Sequence, residues 1–114
     1  MYKILQTLNF DKIFKKTIPE NLKESVKNKI NKLKENPYMG KPLSYDFFRE
    51  LKINKFRIYY SIYEDYLIVL VIGVSDKKLQ KRTINLIKKE RKSFKSFVEN
   101  YLKEENKHDN DEKK

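Results

Sequence analysis

One carboxylate and a run of cations stand close together in the second half of the chain. Glu50 and Lys52 are two residues apart in a segment of alternating character, so as a strand it places both on one face. Arg57 opens the polar face of the next alternating segment, followed there by Tyr59 and Tyr63. Lys77, Lys78, Lys81 and Arg82 come just after a long apolar run. If the three segments pair in order as a meander, their ends bring Lys52, Arg57 and Lys77 together. Three cations and a carboxylate in a cleft suit a phosphodiester, whose charge rises in the transition state. RNA carries its own nucleophile, the 2′-hydroxyl. A ribonuclease of this kind needs only a proton acceptor, a proton donor and cations for the phosphorane. Lys52 and Glu50 are the candidate acceptors; an amine serves only where neighbouring cations disfavour its charge, whereas a carboxylate needs no such help. Glu50 reads equally well as the ion-pair partner of those cations. Lys55, Lys78, Lys81 and Arg82 are the candidates for further phosphate contacts. The same pattern also describes a solvated sheet face on which lysines discourage edge pairing, with no chemistry at all.

Other chemistries find few residues to use. The 114 residues contain no Cys, which excludes a disulfide framework, a thiolate metal site and a cysteine nucleophile. The single His, His108, lies in the charged C-terminal stretch, so no Ser/His/Asp triad can be assembled from the core. His108 to Glu112 is the only metal-like cluster, and it lacks the glycine of a cation-binding turn. With two Gly in the chain there is no phosphate-cradling GxGxxG or GxxxxGK[ST] loop. Neither metal nor cofactor is expected. The longest apolar run, Leu67–Val74, is of strand length, far short of the roughly 18 residues of a membrane span. The N-terminus has no charged-then-apolar export pattern, so the expected location is the cytoplasm. A net charge of +11 favours polyanions or an acidic protein as partner. A bias toward Lys, Asn and Ile, with Ala absent, accounts for part of that charge.

The elements that must position these residues follow from the changing period of the apolar pattern. Tyr2–Leu5 fits a first strand, and Phe10, Ile13, Phe14 and Ile18 fit a helix. Thr17 to Glu20 has the Thr-x-x-Glu spacing of a capping box, which predicts a second helix with Leu22, Val26, Ile30 and Leu33 as its apolar stripe. Asn36-Pro37 ends it, because the residue before proline avoids the helical region. From Phe47 the period becomes two, with turns at Asn54-Lys55 and Glu64-Asp65. Phe56–Tyr63 reads as a half-buried strand and Tyr66–Val74 as the central, covered one. Apolar residues from Ile84 to Tyr101 alternate at three and four, predicting one long helix interrupted in pattern by Arg91. Residues 1–102 thus form one α+β domain: strand, two-helix hairpin, three-stranded antiparallel meander, long helix. The charged residues 103–114 read as disordered.

The ordered segments Leu33-Lys-Glu-Asn-Pro37, Gly40-Lys-Pro-Leu43, Arg49-Glu-Leu-Lys52, Phe56-Arg-Ile-Tyr-Tyr60 and Lys77-Lys-Leu-Gln-Lys81 resemble the RelE/ParE toxin superfamily. The resemblance spans about residues 2–90, and the last segment, followed by a helix, looks most like the HigB-like branch. It implies a type II toxin: a ribosome-dependent mRNA endoribonuclease that inhibits translation and is neutralised by a cognate antitoxin. The ParE branch shares the fold and inhibits DNA gyrase instead. By this resemblance Arg57 is a phosphate-binding catalytic arginine, Lys52 a basic position of the preceding strand, and Lys77 or Lys78 the basic residue after the last strand. Glu50 stands where RelE has a basic residue, and Thr83 where RelE has a C-terminal Tyr. The partners implied are the antitoxin, the ribosome and mRNA, with no membrane. An inactive basic module that only binds RNA or antitoxin has the same fold and the same charge.

Overall fold

Thr7 opens the first helix. Its Oγ1 accepts from the Phe10 N–H at 3.0 Å and donates to the Ile72 carbonyl at 3.0 Å, so one hydroxyl caps the helix and ties it to a strand. The computed structural model describes residues 1–112, with side chains through Asn106. In chain order the elements are β1 (Lys3–Gln6), α1 (Leu8–Thr17), α2 (Glu20–Asn31), β2 (Lys41–Pro42), β3 (Phe48–Ile53), β4 (Phe56–Tyr63), β5 (Ile68–Asp76), α3 (Gln80–Lys89) and α4 (Arg91–Glu112). They form one sheet in the order β1-β5-β4-β3-β2, with β1 parallel to β5 and the remaining pairs antiparallel. This is the α+β architecture expected from the sequence, with β2 added as a two-residue edge. The chain divides into two compact units, residues 1–84 and residues from 85 onward.

In the first unit, Phe10 and Phe14 of α1 and Val26 and Ile30 of α2 pack with Leu51, Ile58, Tyr60, Ile62 and Val71 of the sheet. Each such buried side chain contributes about 1.5–3 kcal/mol. The other sheet face is buried too: Arg57, Tyr59 and Ser61, expected on a half-exposed face, are 8, 0 and 6% exposed. Alternation separates the chemical character of two faces, not their coverage. In the second unit Ile87 and Val98 are buried, while Leu86 and Phe97 are exposed. The expected single helix is two: it begins at Gln80, and it breaks at Glu90, next to the Arg91 that interrupts the apolar pattern. Backbone from 103 to Glu112, expected to be disordered, continues as helix, and residues 113–114 lie outside the described residues. Among the described residues no helix is long and apolar enough to cross a membrane.

The capping box does not form. Thr17 is the last residue of α1, because the Ile18 N–H still bonds the Phe14 carbonyl at 3.1 Å; Pro19 then precedes α2 without a side-chain cap.

The connection from α2 to β3 is held from two sides. Arg49, the cation that breaks the apolar pattern of β3, donates to the carbonyls of Asp46 (2.8 Å), Tyr38 (2.9 Å) and Gly40 (2.8 Å), and pairs with the Asp46 carboxylate at 2.7 Å. Tyr60 donates to the Pro37 carbonyl at 2.7 Å and accepts from the Gly40 N–H at 3.0 Å. A Cβ at Gly40 would lie 2.5 Å from the Tyr60 hydroxyl and 2.6 Å from the Glu50 carbonyl oxygen. Gly40→Ala is therefore expected to destabilise the fold by about 1–3 kcal/mol, since a buried ring and a strand backbone must move. Urea denaturation checks it; an unchanged midpoint contradicts the close approach.

Glu64, in the turn before β5, accepts from the hydroxyls of Tyr2 and Tyr38, joining the N-terminus, the α2–β3 connection and the β4–β5 turn. The two phenols hold the Glu64 carboxyl below its usual value, and the Glu64 bond pushes Tyr38 up to about 12. A depressed carboxylate contributes stability above its unfolded value of about 4.3 and loses it as the pH falls through the folded one. A raised phenol contributes below about 10 and loses its share as the pH rises through the folded value. The stability gap between wild type and Glu64→Gln is expected to be constant at neutral pH and to close on acidification. A gap that stays open in acid removes this clasp from the account.

Candidate active site

The β3–β4 hairpin sets the site. Its two-residue turn, Asn54-Lys55, places Asn54 at φ 57°, a conformation that Asn tolerates better than most residues. That turn fixes the register, in which Lys52 stands opposite Arg57 and Glu50 opposite Tyr59. Directly opposed residues share a face, so all four look to the same side of the sheet.

Arg57 and Glu50 form an ion pair at 3.4 Å, Nε to Oε2, with Glu50 only 5% exposed. The Gln80 amide, at the start of α3, donates to both Glu50 oxygens at 2.9 and 3.1 Å. Arg57 Nη1 donates to the carbonyls of Phe56 at 3.1 Å and Asn54 at 3.4 Å. A guanidinium has five N–H donors in a fixed fork; with Nε and Nη1 engaged by the protein, the Nη2 end is the part a ligand can take. Tyr59, fully buried, shares a 2.8 Å hydrogen bond with Ser75, and burial holds its phenol above the ordinary value, that is, neutral. The pair borders an open cleft of about 440 Å³ whose cations are Arg57, Lys52, Lys29 and Lys41. Lys29 Nζ reaches from α2 to the Lys52 carbonyl at 3.1 Å.

Of the residues singled out in the sequence, Glu50, Lys52 and Arg57 line this cleft together. Lys77 does not line it, although strand order brought it near Lys52 and Arg57 in the sequence reading. The last β4–β5 pair is Phe56 with Asp76, and the chain turns at once: Asp76 Oδ1 accepts from the Leu79 N–H at 3.1 Å. That capped turn delivers Gln80, not Lys77, to Glu50. Lys77 and Lys78 are exposed on the turn, and Lys81 and Arg82 are exposed on α3. Lys55 lies in the hairpin turn with its ammonium 5.5 Å from the centroid of the Phe56 ring. Gln80, Lys29 and Lys41 were not singled out. Gln80 and Lys41 stood in the Lys77–Lys81 and Gly40–Leu43 segments that carried the resemblance, where neither was given a role, and Asp76 three residues before Leu79 is a capping spacing; for Lys29 there was no signal. Among the described residues no group of three or more His, Cys, Asp and Glu could hold a metal ion, and the side chains of His108 to Glu112 lie outside them.

With this geometry in hand, the chain can be compared with known proteins. No curated protein matches it at a significant level. Among solved structures it is similar to the E. coli RelBE toxin–antitoxin complex, at 19% identity and TM-score 0.59, covering 67% of this chain and 96% of that one. It is also similar to the isolated E. coli RelE toxin, at 17% identity and TM-score 0.59, covering 76% and 99%. The RelBE2 toxin–antitoxin complex of Mycobacterium tuberculosis is similar at 20% identity and TM-score 0.58, covering 67% and 98%. At such identities these likenesses show the fold. A family model described as the ParE toxin of the type II toxin–antitoxin system parDE matches residues 8–80, well over half of the chain. The chain therefore belongs to the ParE toxin family, within the RelE/ParE superfamily, and is a toxin of a type II toxin–antitoxin system.

Proposed function

We propose that this toxin is an endoribonuclease that cuts mRNA on the ribosome and is neutralised by its own antitoxin. The observation that carries the reading is the buried Glu50–Arg57 pair, clamped by Gln80, at the edge of a cleft lined by further cations. Arg57 receives the scissile phosphate and stabilises the charge that builds on the phosphorane. Glu50 has both oxygens engaged and is almost inaccessible, so its role is to orient Arg57, which leaves the accessible Lys52 as the candidate acceptor of the 2′-hydroxyl proton. The 2′-oxygen bonds to phosphorus as the P–O5′ bond breaks, giving a 2′,3′-cyclic phosphate and a 5′-hydroxyl. No side chain of the cleft is assigned to protonate the departing oxygen; the ribosome supplies that step or positions the mRNA for water to do so. Lys55, Lys77, Lys78, Lys81 and Arg82, all exposed, add attraction for the polyanion around the cleft. The antitoxin reading rests on the solved relatives, two of which are toxin–antitoxin complexes.

A second reading, inhibition of DNA gyrase, is favoured by the match to the ParE model. Induced expression in a bacterial host separates the two. New mRNA ends with unchanged plasmid supercoiling are expected. Growth arrest with altered supercoiling and intact mRNA would move the protein to the gyrase branch, and the cleft would then have no RNA to cut.

A further inference from the structure

The cleft continues past the Glu50–Arg57 pair. Its far wall is the segment Met39-Gly40-Lys41, and Lys29 of α2 also lines it. β2 pairs with β3 so that Lys41 stands opposite Glu50, while Lys52, two residues along β3, stands opposite Arg57. Opposed residues share a face, so the cations step across three adjacent strands on one side of the sheet: Arg57 on β4, Lys52 on β3, Lys41 on β2. With strands about 4.8 Å apart, this row extends about 10 Å across the sheet. The one carboxylate among them is already matched by Arg57 and Gln80, so the row is net positive along its length. Lys41 is exposed, and Met39 beside it, 37% exposed, presents a polarisable thioether suited to the flat face of a base. The Gly40 backbone between them is fixed by Arg49 and Tyr60, so this wall is held in place.

We propose that this end of the cleft is a subsite for the nucleotide adjoining the scissile phosphate: Lys41 binds its phosphate, and Met39 packs against its base. The subsite rests on the ribonuclease reading and adds to it the residues that set how the strand enters. An acidic protein segment also carries negative charge, but a row of cations that runs on from the phosphate site fits a polyanion with regularly repeated charge.

The test is binding of a short single-stranded 2′-O-methyl RNA to the full chain, followed by anisotropy between about 50 and 200 mM salt. Lys41→Ala is expected to make the slope of log K against log salt shallower by about 0.7, the share of one phosphate on a single strand. Lys41→Arg should restore the slope. Met39→Ala should weaken binding about two- to tenfold at every salt concentration with the slope unchanged. In cleavage of ribosome-bound mRNA, Lys41→Ala should raise KM and leave kcat alone. An unchanged slope in Lys41→Ala overturns the subsite even where that variant loses affinity for an acidic protein. It leaves the ribonuclease reading standing, because that reading is tested by Arg57-dependent cleavage. Failure of the wild type to bind the RNA at the lowest salt also overturns the subsite, and failure to cleave overturns the reading beneath it.

Discussion

Arg57→Ala is expected to lower mRNA cleavage by on the order of 10²–10³-fold, the loss typical of removing one donor from a preorganised charge-stabilising site. It should also destabilise the fold by about 3–5 kcal/mol, because truncating one member of a buried ion pair leaves the other charge uncompensated. Glu50 is that other charge, at 5% exposure. Loss of activity in the single variant thus mixes two causes, and a second variant separates them. In Glu50→Gln/Arg57→Met neither member of the pair keeps a charge, so most of the stability should return while cleavage does not. Denaturation and cleavage measured on the same preparations decide the matter. A folded Arg57→Ala protein that cuts at the wild-type rate would remove Arg57 from the reaction.

The second large effect is on stability alone. Arg49→Ala should cost about 3–4 kcal/mol of the roughly 5–15 kcal/mol that holds a domain folded. The Arg49 guanidinium lies 4.9 Å from the Tyr38 ring centroid and bonds three carbonyls of the connection between α2 and β3. Without it the buried carbonyl of Gly40 loses its donor, and burying an unsatisfied acceptor is the expensive outcome. Arg49→Lys should recover little, since a point charge cannot bond three carbonyls and a carboxylate in a planar fork. Because this connection carries Lys41, a variant that remains folded should also show a raised KM. A guanidinium-chloride midpoint for Arg49→Ala equal to that of the wild type would remove Arg49 as the anchor of this loop.

The part of the site written in local pattern was legible in the sequence. Alternation from Phe48 to Tyr63 and a two-residue turn at Asn54-Lys55 fix which residues face one another, and hence the neighbourhood of Glu50, Lys52 and Arg57. Reading the order of elements and the overall class needed only the changes of period. What lay beyond reach depended on the path of the chain after a strand ends. Lys77 was expected beside Lys52 and Arg57 because strand order put it there; it does not line the cleft, and the turn capped by Asp76 leads instead to Gln80, which does. Lys29 and Lys41 come from a helix and a two-residue edge strand, and no spacing rule relates either to Arg57. The two threonines make the same point. Thr17 has the capping-box spacing and closes a helix, whereas Thr7, with no glutamate three residues on, is the residue whose hydroxyl caps.

The account stands on phosphodiester cleavage at the Glu50–Arg57 cleft, with the 2′-hydroxyl as nucleophile. The most direct test incubates purified toxin with ribosomes carrying a defined mRNA and analyses the chemistry of the new ends. Fragments ending in a 2′,3′-cyclic phosphate and beginning with a 5′-hydroxyl, absent with Glu50→Gln/Arg57→Met, are the predicted result. Intact mRNA, or fragments that begin with a 5′-phosphate, would contradict it.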